Sequence, residues 1–311
     1  MAEKTMRRSW QSYLLNGLFR VVSKRRFPTE PDIAAIRSTY ERLDAKRFRV
    51  APDTVKTPVQ THGVSSDWVR VPASRDERVI YYLHGGGFML RFPNAHTGMV
   101  ARWCRRLGSR ALMPDYRLAP EHPYPAAPQD CLNGYRWLLD QQIDPANIVI
   151  AGDSAGGCLS LATLHLIKEA GLPMPACAVL LSPGTDLTMS GKSVVTNERK
   201  DPMFMLQGLI IMRGSYAPEQ FMAEPAASPL FADYEGFPPL HFVVGSTEIL
   251  LDDSTRAVEK ARRAGVETEL KIWRGMPHVF PSFPFLPEAR GATDDIVRFI
   301  SRNTAWEELP D

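Results

Sequence analysis

The sequence of 311 residues lacks several features that would by themselves assign a chain to a particular class of protein. It contains only 4 cysteines, and none stands in a C-x-x-C pair or beside histidines at the spacing of a zinc site. No apolar run reaches the roughly 18 residues that a transmembrane helix needs. Positive charge is not in excess either, because 37 Lys and Arg stand against 35 Asp and Glu. These absences argue against a disulfide-stapled, zinc-binding, membrane-spanning or nucleic-acid-binding protein.

What is present is the composition of a globular protein with a sizeable core, since 44% of the residues are hydrophobic and 23% are charged. We expect four buried, reduced thiols, at Cys104, Cys131, Cys158 and Cys177. The N-terminus is basic, but no small-residue cleavage site follows it, so a signal peptide is not expected. We therefore predict a cytoplasmic protein without stable membrane insertion.

The N-terminal 50 residues predict two helices. Within residues 6–27, four apolar side chains recur at helical spacing, namely Trp10, Leu14, Leu18 and Val21. Basic residues surround them, and a basic amphipathic helix is able to lie on a membrane surface. Such a face more often packs on its own protein, and we predict that packing here. A second helix is expected at about residues 31–44.

From residue 55 onward, short β-rich runs alternate with helical stretches. The predicted strands are 55–61, 67–71, 79–83, 111–113, 147–151, 176–181, 240–244 and 269–273. The predicted helices are 95–108, 128–141, 154–170, 252–264 and 290–303. This alternation predicts an α/β fold with a mostly parallel sheet and helices on both faces. The first two strands have no helix between them, so we expect them to pair antiparallel at one edge.

The segment Gly152-Asp153-Ser154-Ala155-Gly156-Gly157 follows a predicted strand and opens a helix. It matches the G-x-S-x-G nucleophile elbow in the structural context that this motif requires. A phosphate-binding turn would need a Lys or a G-x-G-x-x-G pattern, and neither is present. We therefore predict Ser154 as a nucleophile, held at a helix N-terminus where partial positive charge favours an oxyanion.

Three glycines follow another buried strand, in His84-Gly85-Gly86-Gly87-Phe88. Each glycine costs conformational entropy, so three in a row favour a place where backbone N–H groups must approach a substrate closely. We assign the oxyanion hole to the amides of Gly86, Gly87 and Ala155, and we expect His84 to hold the loop by hydrogen bonds.

A histidine is expected as the general base. Among the seven histidines, only His278 follows the last predicted strand, where the chain order Ser, acid, His requires the base. His165 lies along the helix that begins at Ser154, which points it away from the site. His241 lies inside an apolar strand.

The acid should follow the strand at 240–244, where three carboxylates compete. Asp252 and Asp253 stand where a helix begins, and capping accounts for one of them. Glu248 is nearest to the strand end. We favour Glu248 over Asp252 as the group that accepts a hydrogen bond from His278, on the expected geometry of the loop.

These residues give the chain a family resemblance. The sequence resembles the hormone-sensitive-lipase-like branch of α/β-hydrolases over roughly residues 60–305, on the glycine loop at 84–88, the run from Asp115 to Ala127, and the elbow at 152–157. The family's catalytic Asp is replaced here, because Glu248 stands in the first position of the segment that aligns with it.

The resemblance implies an α/β-hydrolase fold with an eight-stranded sheet and a helical cap. We predict residues 1–50 as the N-terminal helical part of the cap, 51–184 and 237–311 as the two parts of the catalytic domain, and 185–236 as the cap insertion. The family's Asp-Pro motif corresponds to Asp201-Pro202. The predicted substrate-binding residues are Phe88, Asp153, Met203 and Phe204.

The predicted function is that of a serine carboxylesterase, which hydrolyses short-to-medium acyl esters through Ser154, His278 and Glu248. A lactonase, amidase or deacetylase would use the same triad. A ligand-binding relative is the further alternative, although the gibberellin receptors that resemble this family lack the catalytic His that is present here. The expected partner is a small ester, with no cofactor, metal or nucleic acid, and the strand at 269–273 offers an edge for a homodimer.

Overall fold

The computed structural model describes residues 8–22 and 32–310. Its strands are β1 (Val55–Thr61), β2 (Val64–Arg70), β3 (Val79–Leu83), β4 (Arg110–Pro114), β5 (Ile148–Asp153), β6 (Cys177–Leu181), β7 (Leu240–Gly245) and β8 (Thr268–Trp273). Its α-helices are α1 (Trp10–Val22), α2 (Ile33–Arg47), α3 (Pro93–Leu107), α4 (Ala126–Asp140), α5 (Ala155–Glu169), α6 (Ser193–Thr196), α7 (Leu206–Tyr216), α8 (Leu251–Arg263) and α9 (Pro287–Thr304).

The eight strands form one sheet in the order β1-β2-β4-β3-β5-β6-β7-β8. The β1–β2 and β2–β4 pairs are antiparallel, and the remaining pairs are parallel. The predicted mostly parallel sheet with an antiparallel edge is thereby confirmed. Strand β8 lies at the other edge, so the homodimer through this strand stays a prediction.

Helices cover both faces of the sheet because the central strands are apolar on both sides. Along β3, Tyr81 and Leu83 enter one hydrophobic cluster, to which α4, α5 and α8 contribute. Ile80 and Tyr82 enter the cluster on the opposite face, with α3 and α9. This alternation follows from the period of two residues in a strand.

The parallel strands bring four chain segments to one edge of the sheet. The glycine loop follows β3, Ser154 follows β5, Glu248 follows β7, and His278 follows β8. Because the carboxyl ends of parallel strands meet at the same edge, segments nearly 200 residues apart in sequence form one neighbourhood.

Residues 185–236, all of which the structure describes, contain α6, α7 and two short 3-10 helices, at 219–221 and 229–231, but no strand. The interruption of the alternation is therefore observed where the sequence predicts it. The division of the chain into cap and catalytic parts at residues 50, 184 and 236 stays a prediction.

The predicted packing of the N-terminal apolar face is wrong. The four side chains of that face are 59–71% exposed, namely Trp10, Leu14, Leu18 and Val21. The helix buries Ser12, Leu15 and Asn16 instead. Asn16 Nδ2 donates to the carbonyl of Gly275, and Ser12 Oγ donates to the carbonyl of Ser9 one turn earlier. Helix α1 occupies Trp10–Val22 of the predicted range, and residues 6–7 and 23–27 of that range lie outside the described residues.

All four cysteines are buried and free, as predicted. Burial raises the pKa of each thiol, which keeps the sulfur protonated at neutral pH. Among residues 8–22 and 32–310, no helix has both the length and the apolar character to cross a bilayer.

Candidate active site

Ser154 lies in the turn between β5 and α5 in a strained backbone conformation. Its φ of 53° and ψ of −119° belong to a region that a residue with a side chain rarely adopts. Close packing accounts for the glycines beside it, since a Cβ at Gly152 would lie 2.3 Å from the carbonyl oxygen of Gly156, and one at Gly156 would lie 1.9 Å from that of Leu83. The Ser154 amide donates to the carbonyl of Leu181 at 2.8 Å, which fastens the turn to the neighbouring strand.

Glu248 and His278 are in direct contact. His278 Nδ1 lies 2.7 Å from Glu248 Oε2, and the two residues are 4% and 0% exposed. Because a carboxylate only accepts, Nδ1 carries the proton and Nε2 presents its lone pair. Within the described part of the chain, Nε2 is buried and has no hydrogen-bond partner. This imidazole is therefore arranged to accept a proton at Nε2.

The second oxygen of Glu248 is held by two groups that lie outside the sequence motifs. Ser182 Oγ donates to Oε1 at 2.8 Å, and the amide of Gly245 donates to the same oxygen. Ser182 Oγ in turn accepts from the amide of Val279, next to His278, at 3.2 Å. No local sequence pattern identifies Ser182, because its contact depends on β6, which it directly follows, lying beside β7 in the sheet. The acid and the base are thus tied together through a hydroxyl as well as directly.

The competing carboxylates are engaged elsewhere. Asp252 Oδ2 accepts from the amide of Ser193 at 2.9 Å. Asp253 Oδ1 accepts from the amides of Thr185 and Asp186. Burial and the charge of Asp186 raise the pKa of Asp253 to about 8. The structure brings Glu248 to His278, whereas Asp252 and Asp253 fasten the start of the insertion to α8.

The glycine loop presents free backbone donors. Gly86 and Gly87 have φ of 125° and 61°, which favour glycine, and a Cβ at Gly86 would lie 2.2 Å from the carbonyl oxygen of Leu90. In the described residues, the amides of Gly86, Gly87 and Ala155 donate no hydrogen bond. Ala155 is the first residue of α5, where an amide has no partner within the helix. The amide of Gly85 is not free, because it donates to Asp153.

Asp153 is buried in a polar cluster behind this loop. Its Oδ1 accepts from Tyr82 Oη at 2.5 Å and from the amide of Gly85 at 2.8 Å. His96 Nε2 lies 3.3 Å from its Oδ2. Burial acts to raise the pKa of Asp153, but His96, Tyr82 and the Gly85 amide outweigh it and lower the pKa to about 2. The carboxylate predicted to bind substrate is thus fully engaged inside the protein.

His84 fastens the same loop. Its Nδ1 donates to the carbonyl of Gly85 at 2.8 Å, and its ring stacks on that of Tyr116 at 4.2 Å between centroids. Tyr116 Oη donates to the carbonyl of His84 at 2.6 Å. Burial lowers the pKa of His84 to about 3, so the ring is neutral at physiological pH.

The insertion reaches the site through apolar side chains. The ring of Phe204 packs edge-on against His278 at 4.6 Å between centroids, and Met203, one residue before it, is partly exposed. Met212 of α7 lies against the glycine loop, since a Cβ at Gly87 would be 2.5 Å from its sulfur. From the loop itself, the ring of Phe88 stacks on that of Tyr216, the last residue of α7, at 3.6 Å.

Two further histidines lie on the predicted strand and helix, away from the site. His241 is buried in β7, stacks on Phe299 and pairs with Glu269, and burial lowers its pKa. His165 lies on α5, and partial burial lowers its pKa. In the ranges 8–22 and 32–310, no group of three or more His, Cys, Asp or Glu side chains is arranged to hold a metal ion.

Comparison with known proteins finds close relatives. Residues 80–282 match a family described by its α/β-hydrolase fold. An esterase of Acinetobacter venetianus is 35% identical over 296 residues, covering 94% of this chain and 96% of the relative. An acetyl-hydrolase of Streptomyces hygroscopicus is 37% identical over 241 residues, covering 77% of this chain and 80% of the relative. The crystal structure of an esterase from the bacterial hormone-sensitive lipase (HSL) family has a TM-score of 0.90 at 36% identity, covering 96% of this chain and 100% of that one.

The fold and these matches define an α/β-hydrolase. Within that fold, the chain belongs to the bacterial hormone-sensitive lipase family, as the sequence motifs predict. Esterases among both the sequence relatives and the structural neighbours make it a carboxylic ester hydrolase.

Proposed function

We propose that this hydrolase is a serine carboxylesterase that acts on short-to-medium acyl esters through Ser154, His278 and Glu248. Ser154 Oγ attacks the ester carbonyl while His278 Nε2 takes its proton. His278 then gives the proton to the leaving alcohol, and a covalent acyl-enzyme remains. Water, deprotonated by the same Nε2, releases the acid and restores Ser154. Glu248 stays ionised, fixes the imidazole tautomer and stabilises the imidazolium.

The observation that carries this proposal is the contact of 2.7 Å between Glu248 Oε2 and His278 Nδ1. A buried carboxylate on one ring nitrogen makes the other nitrogen a better proton acceptor and prevents the ring from turning. The strained conformation of Ser154 supports the same proposal, because strain that persists in a folded protein is found mainly at functional sites.

We propose the amides of Gly86, Gly87 and Ala155 as the oxyanion hole. Their lack of partners within the described residues supports this role, since a tetrahedral oxyanion would supply the acceptor. Removing one such donor typically costs roughly 2.7–4 kcal/mol of transition-state stabilisation. The N-terminus of α5 adds partial positive charge at the same place.

For the substrate range, the likeness to an acetyl-hydrolase supports a short acyl group. Phe204 on His278 and Met212 on the glycine loop support apolar substrate contacts made by the insertion. We accordingly propose that residues 1–50 and 185–236 form a cap over the catalytic domain, that Met203 and Phe204 contact substrate, and that no cofactor takes part. Turnover of p-nitrophenyl esters from acetate to laurate tests the range, and a kcat/KM that rises up to laurate contradicts it.

The triad proposal is tested by Ser154→Ala. This variant should lose labelling by a fluorophosphonate and nearly all hydrolysis of p-nitrophenyl acetate, because no other group replaces the nucleophile. Ser160→Ala is the matched control on the same helix, since Ser160 Oγ donates to the carbonyl of Gly156 inside α5. Labelling and turnover that persist in Ser154→Ala would rule out the assigned nucleophile, and wild-type protein that is never labelled would indicate a non-catalytic relative.

A further inference from the structure

Helix α1 packs Ser12, Leu15, Asn16 and Phe19 against the protein and turns its other apolar side chains toward solvent. Six side chains on the outer side are 55–71% exposed, namely Trp10, Tyr13, Leu14, Leu18, Val21 and Val22. The residues that α1 buries are Ser12, Leu15 and Asn16. A helix on the surface of a globular protein normally has the opposite arrangement, and a contiguous apolar surface of this kind marks an interaction site.

The orientation of α1 is fixed by hydrogen bonds on its inner side. Ser9, just before the helix, donates its amide and its hydroxyl to the buried carboxylate of Glu288, at 2.7 and 2.8 Å. Asn16 Nδ2 donates to the carbonyl of Gly275 at 2.9 Å. Rotating the apolar side inward would break these bonds and leave Glu288 buried without its partner, which is costly. The fold therefore holds the apolar side outward.

Positive charge borders this apolar side. Arg20 is exposed and donates to the backbone carbonyl of Lys200, whose own side chain is also exposed. Arg8 lies over the ring of Tyr13 at 4.0 Å. In the sequence, residues 1–26 carry seven Lys and Arg but only one acidic residue, and five of the seven, at positions 4, 7 and 24–26, lie outside the described residues.

We propose that the outer side of α1 docks on the surface of an anionic phospholipid bilayer, with the helix axis in the plane of the interface. Leu14, Leu18 and Val21 enter the boundary of the acyl chains, and Trp10 and Tyr13 lie at the level of the headgroups, where amphipathic rings are favoured. The arginines and lysines at the border pair with lipid phosphates. Such docking is reversible and requires no helix that spans the bilayer.

The charge distribution favours lipid over a second copy of the chain. A two-fold dimer through this surface would place the same patch of each protomer opposite the other. The basic residues at the border would then face one another and repel. An anionic bilayer instead satisfies both the apolar side chains and the positive charge around them.

Docking would bring the lipid surface close to the proposed site. Gly275, which α1 contacts through Asn16, precedes His278 by three residues. Lys200, which α1 contacts through Arg20, is followed by the segment that carries Phe204. Esters dissolved in the bilayer would thus be concentrated near the insertion. This consequence rests on the proposed esterase function, whereas the binding itself does not.

The experiment measures sedimentation of the full chain with sucrose-loaded vesicles of phosphatidylcholine containing phosphatidylglycerol, and with vesicles of phosphatidylcholine alone. Ser154→Ala is tested in parallel, so that binding is read without turnover. Leu18→Ser should lower partitioning onto the anionic vesicles by about tenfold, since an apolar side chain leaves the interface, and Leu14→Ser/Leu18→Ser by more. Val55→Ser is the matched control, because Val55 is 56% exposed on β1 at the far edge of the sheet.

Binding to the anionic vesicles that falls in the leucine variants but not in Val55→Ser supports the proposal. Raising the salt from about 0.1 M to about 1 M shortens the Debye length from about 10 Å to about 3 Å and should also weaken binding. The far-UV circular dichroism spectrum and the urea unfolding midpoint should stay unchanged in every leucine variant, which shows that each is folded. The proposal is overturned if the wild-type protein does not bind the anionic vesicles. It is also overturned if the Leu14→Ser/Leu18→Ser variant binds them as well as the wild type does. A dimer in sedimentation velocity that Leu14→Ser/Leu18→Ser dissociates, without vesicle binding, assigns the surface to a second copy instead.

Discussion

Glu248 has one more rotatable bond than the Asp that usually occupies its position in this family, and three groups that hold its carboxylate compensate for that freedom. Its carboxylate is held by His278, Ser182 and the amide of Gly245, and its own carbonyl accepts from Asn197 Nδ2 at 2.9 Å. A longer side chain with every acceptor engaged is as well positioned as a shorter one. Glu therefore fits the role of the triad acid without a change in the fold.

The contrast between Glu248→Gln and Asp252→Asn tests this assignment. Glu248→Gln should lower kcat by about 10³-fold or more, because the amide cannot stabilise the imidazolium as a carboxylate does. Asp252→Asn should stay within about twofold, since an amide oxygen still accepts from Ser193. Steady-state kinetics with p-nitrophenyl acetate measures both. A large loss in Asp252→Asn with little loss in Glu248→Gln would reverse the assignment.

Asp153 should make the free energy of unfolding depend on pH in the acid range. Its pKa of about 2 in the folded protein lies below the usual value near 4 for Asp, so the unfolded chain binds the proton first as pH falls. The resulting stabilisation, about 2 kcal/mol, is present above pH 4 and is lost as pH falls toward 2. Urea unfolding from pH 7 down to pH 3 should show this loss in the wild type.

The matched variants for this prediction are Asp153→Asn and Asp140→Asn. Asp153→Asn should be less stable at pH 7 and should lose the part of the acid dependence that this carboxylate contributes, because an amide does not titrate. It should also lower kcat more than it raises KM, since the Gly85 amide and the donors beside it would be less firmly positioned. Asp140→Asn alters an exposed pair with His62 and should behave as the wild type. Identical pH profiles for all three proteins would contradict the role of Asp153.

The residues of the candidate site differ in how far the sequence could predict them. Ser154 and His278 follow from local motif and chain order, because the elbow and the loop after the last strand each impose their own residue types. The contact of Ser182 with Glu248 spans 66 positions. It depends on which strands become neighbours in the sheet, and no local pattern contains that information. The sequence likewise could not show that Asp153 turns inward, because its partners Tyr82 and His96 come from other elements.

At the scale of secondary-structure elements, the periodicity of apolar residues predicts whether a segment is a helix or a strand. It predicts less well which side of a helix faces the protein. All predicted strands and the helices between them occur within a few residues of their expected bounds. Helix α1 also forms, but the helical spacing of its apolar residues does not indicate which side faces the protein. That choice is made by Glu288 and Gly275, which are 279 and 259 positions away from their partners. Long-range hydrogen bonds thus override the local expectation that apolar side chains turn inward.

Helix α2 caps the N-terminus of helix α3 through the side chain of Asp44. Asp44, which is 1% exposed, accepts from the amides of Asn94 and Ala95 at the start of α3, at 2.7 and 3.0 Å. Asp44→Ala should lower the free energy of unfolding by about 2 kcal/mol, since one buried and one partly buried donor lose their acceptor and the helix dipole loses a negative charge. Asp32→Ala is the control, because Asp32 caps α2 itself in an exposed position, and it should cost only about 0.5–1 kcal/mol. Urea unfolding that gives equal losses for both would show that α2 and α3 are not coupled through Asp44.

For the whole molecule, a buried carboxylate of the insertion joins it to the loop that carries Glu248. Asp201, which is 0% exposed, accepts from the amides of Met203 and Phe204 through Oδ1, at 2.8 and 3.0 Å. Its Oδ2 accepts from the amide of Ile249, next to Glu248, at 2.8 Å. The segment that places Phe204 on His278 and the loop that carries the acid are therefore fastened to the same side chain.

Asp201→Asn should loosen the loop that carries Glu248 while leaving the segment of Phe204 in place. The amide keeps an oxygen for Met203 and Phe204 but turns a donor toward the amide of Ile249. Losing that single bond should cost about 1–3 kcal/mol of stability. It should also lower kcat by about tenfold with little change in KM, since the loop that holds Glu248 loosens while the apolar contacts remain. Asp201→Ala releases all three amides and should raise KM as well. Differential scanning fluorimetry and kinetics with p-nitrophenyl butyrate measure both effects, with Asp233→Asn as a control whose exposed pair with Lys168 should not matter. If Asp201→Asn changes KM alone, the carboxylate orders the insertion without reaching the acid loop, and the coupling between the two parts of the molecule must run through other contacts.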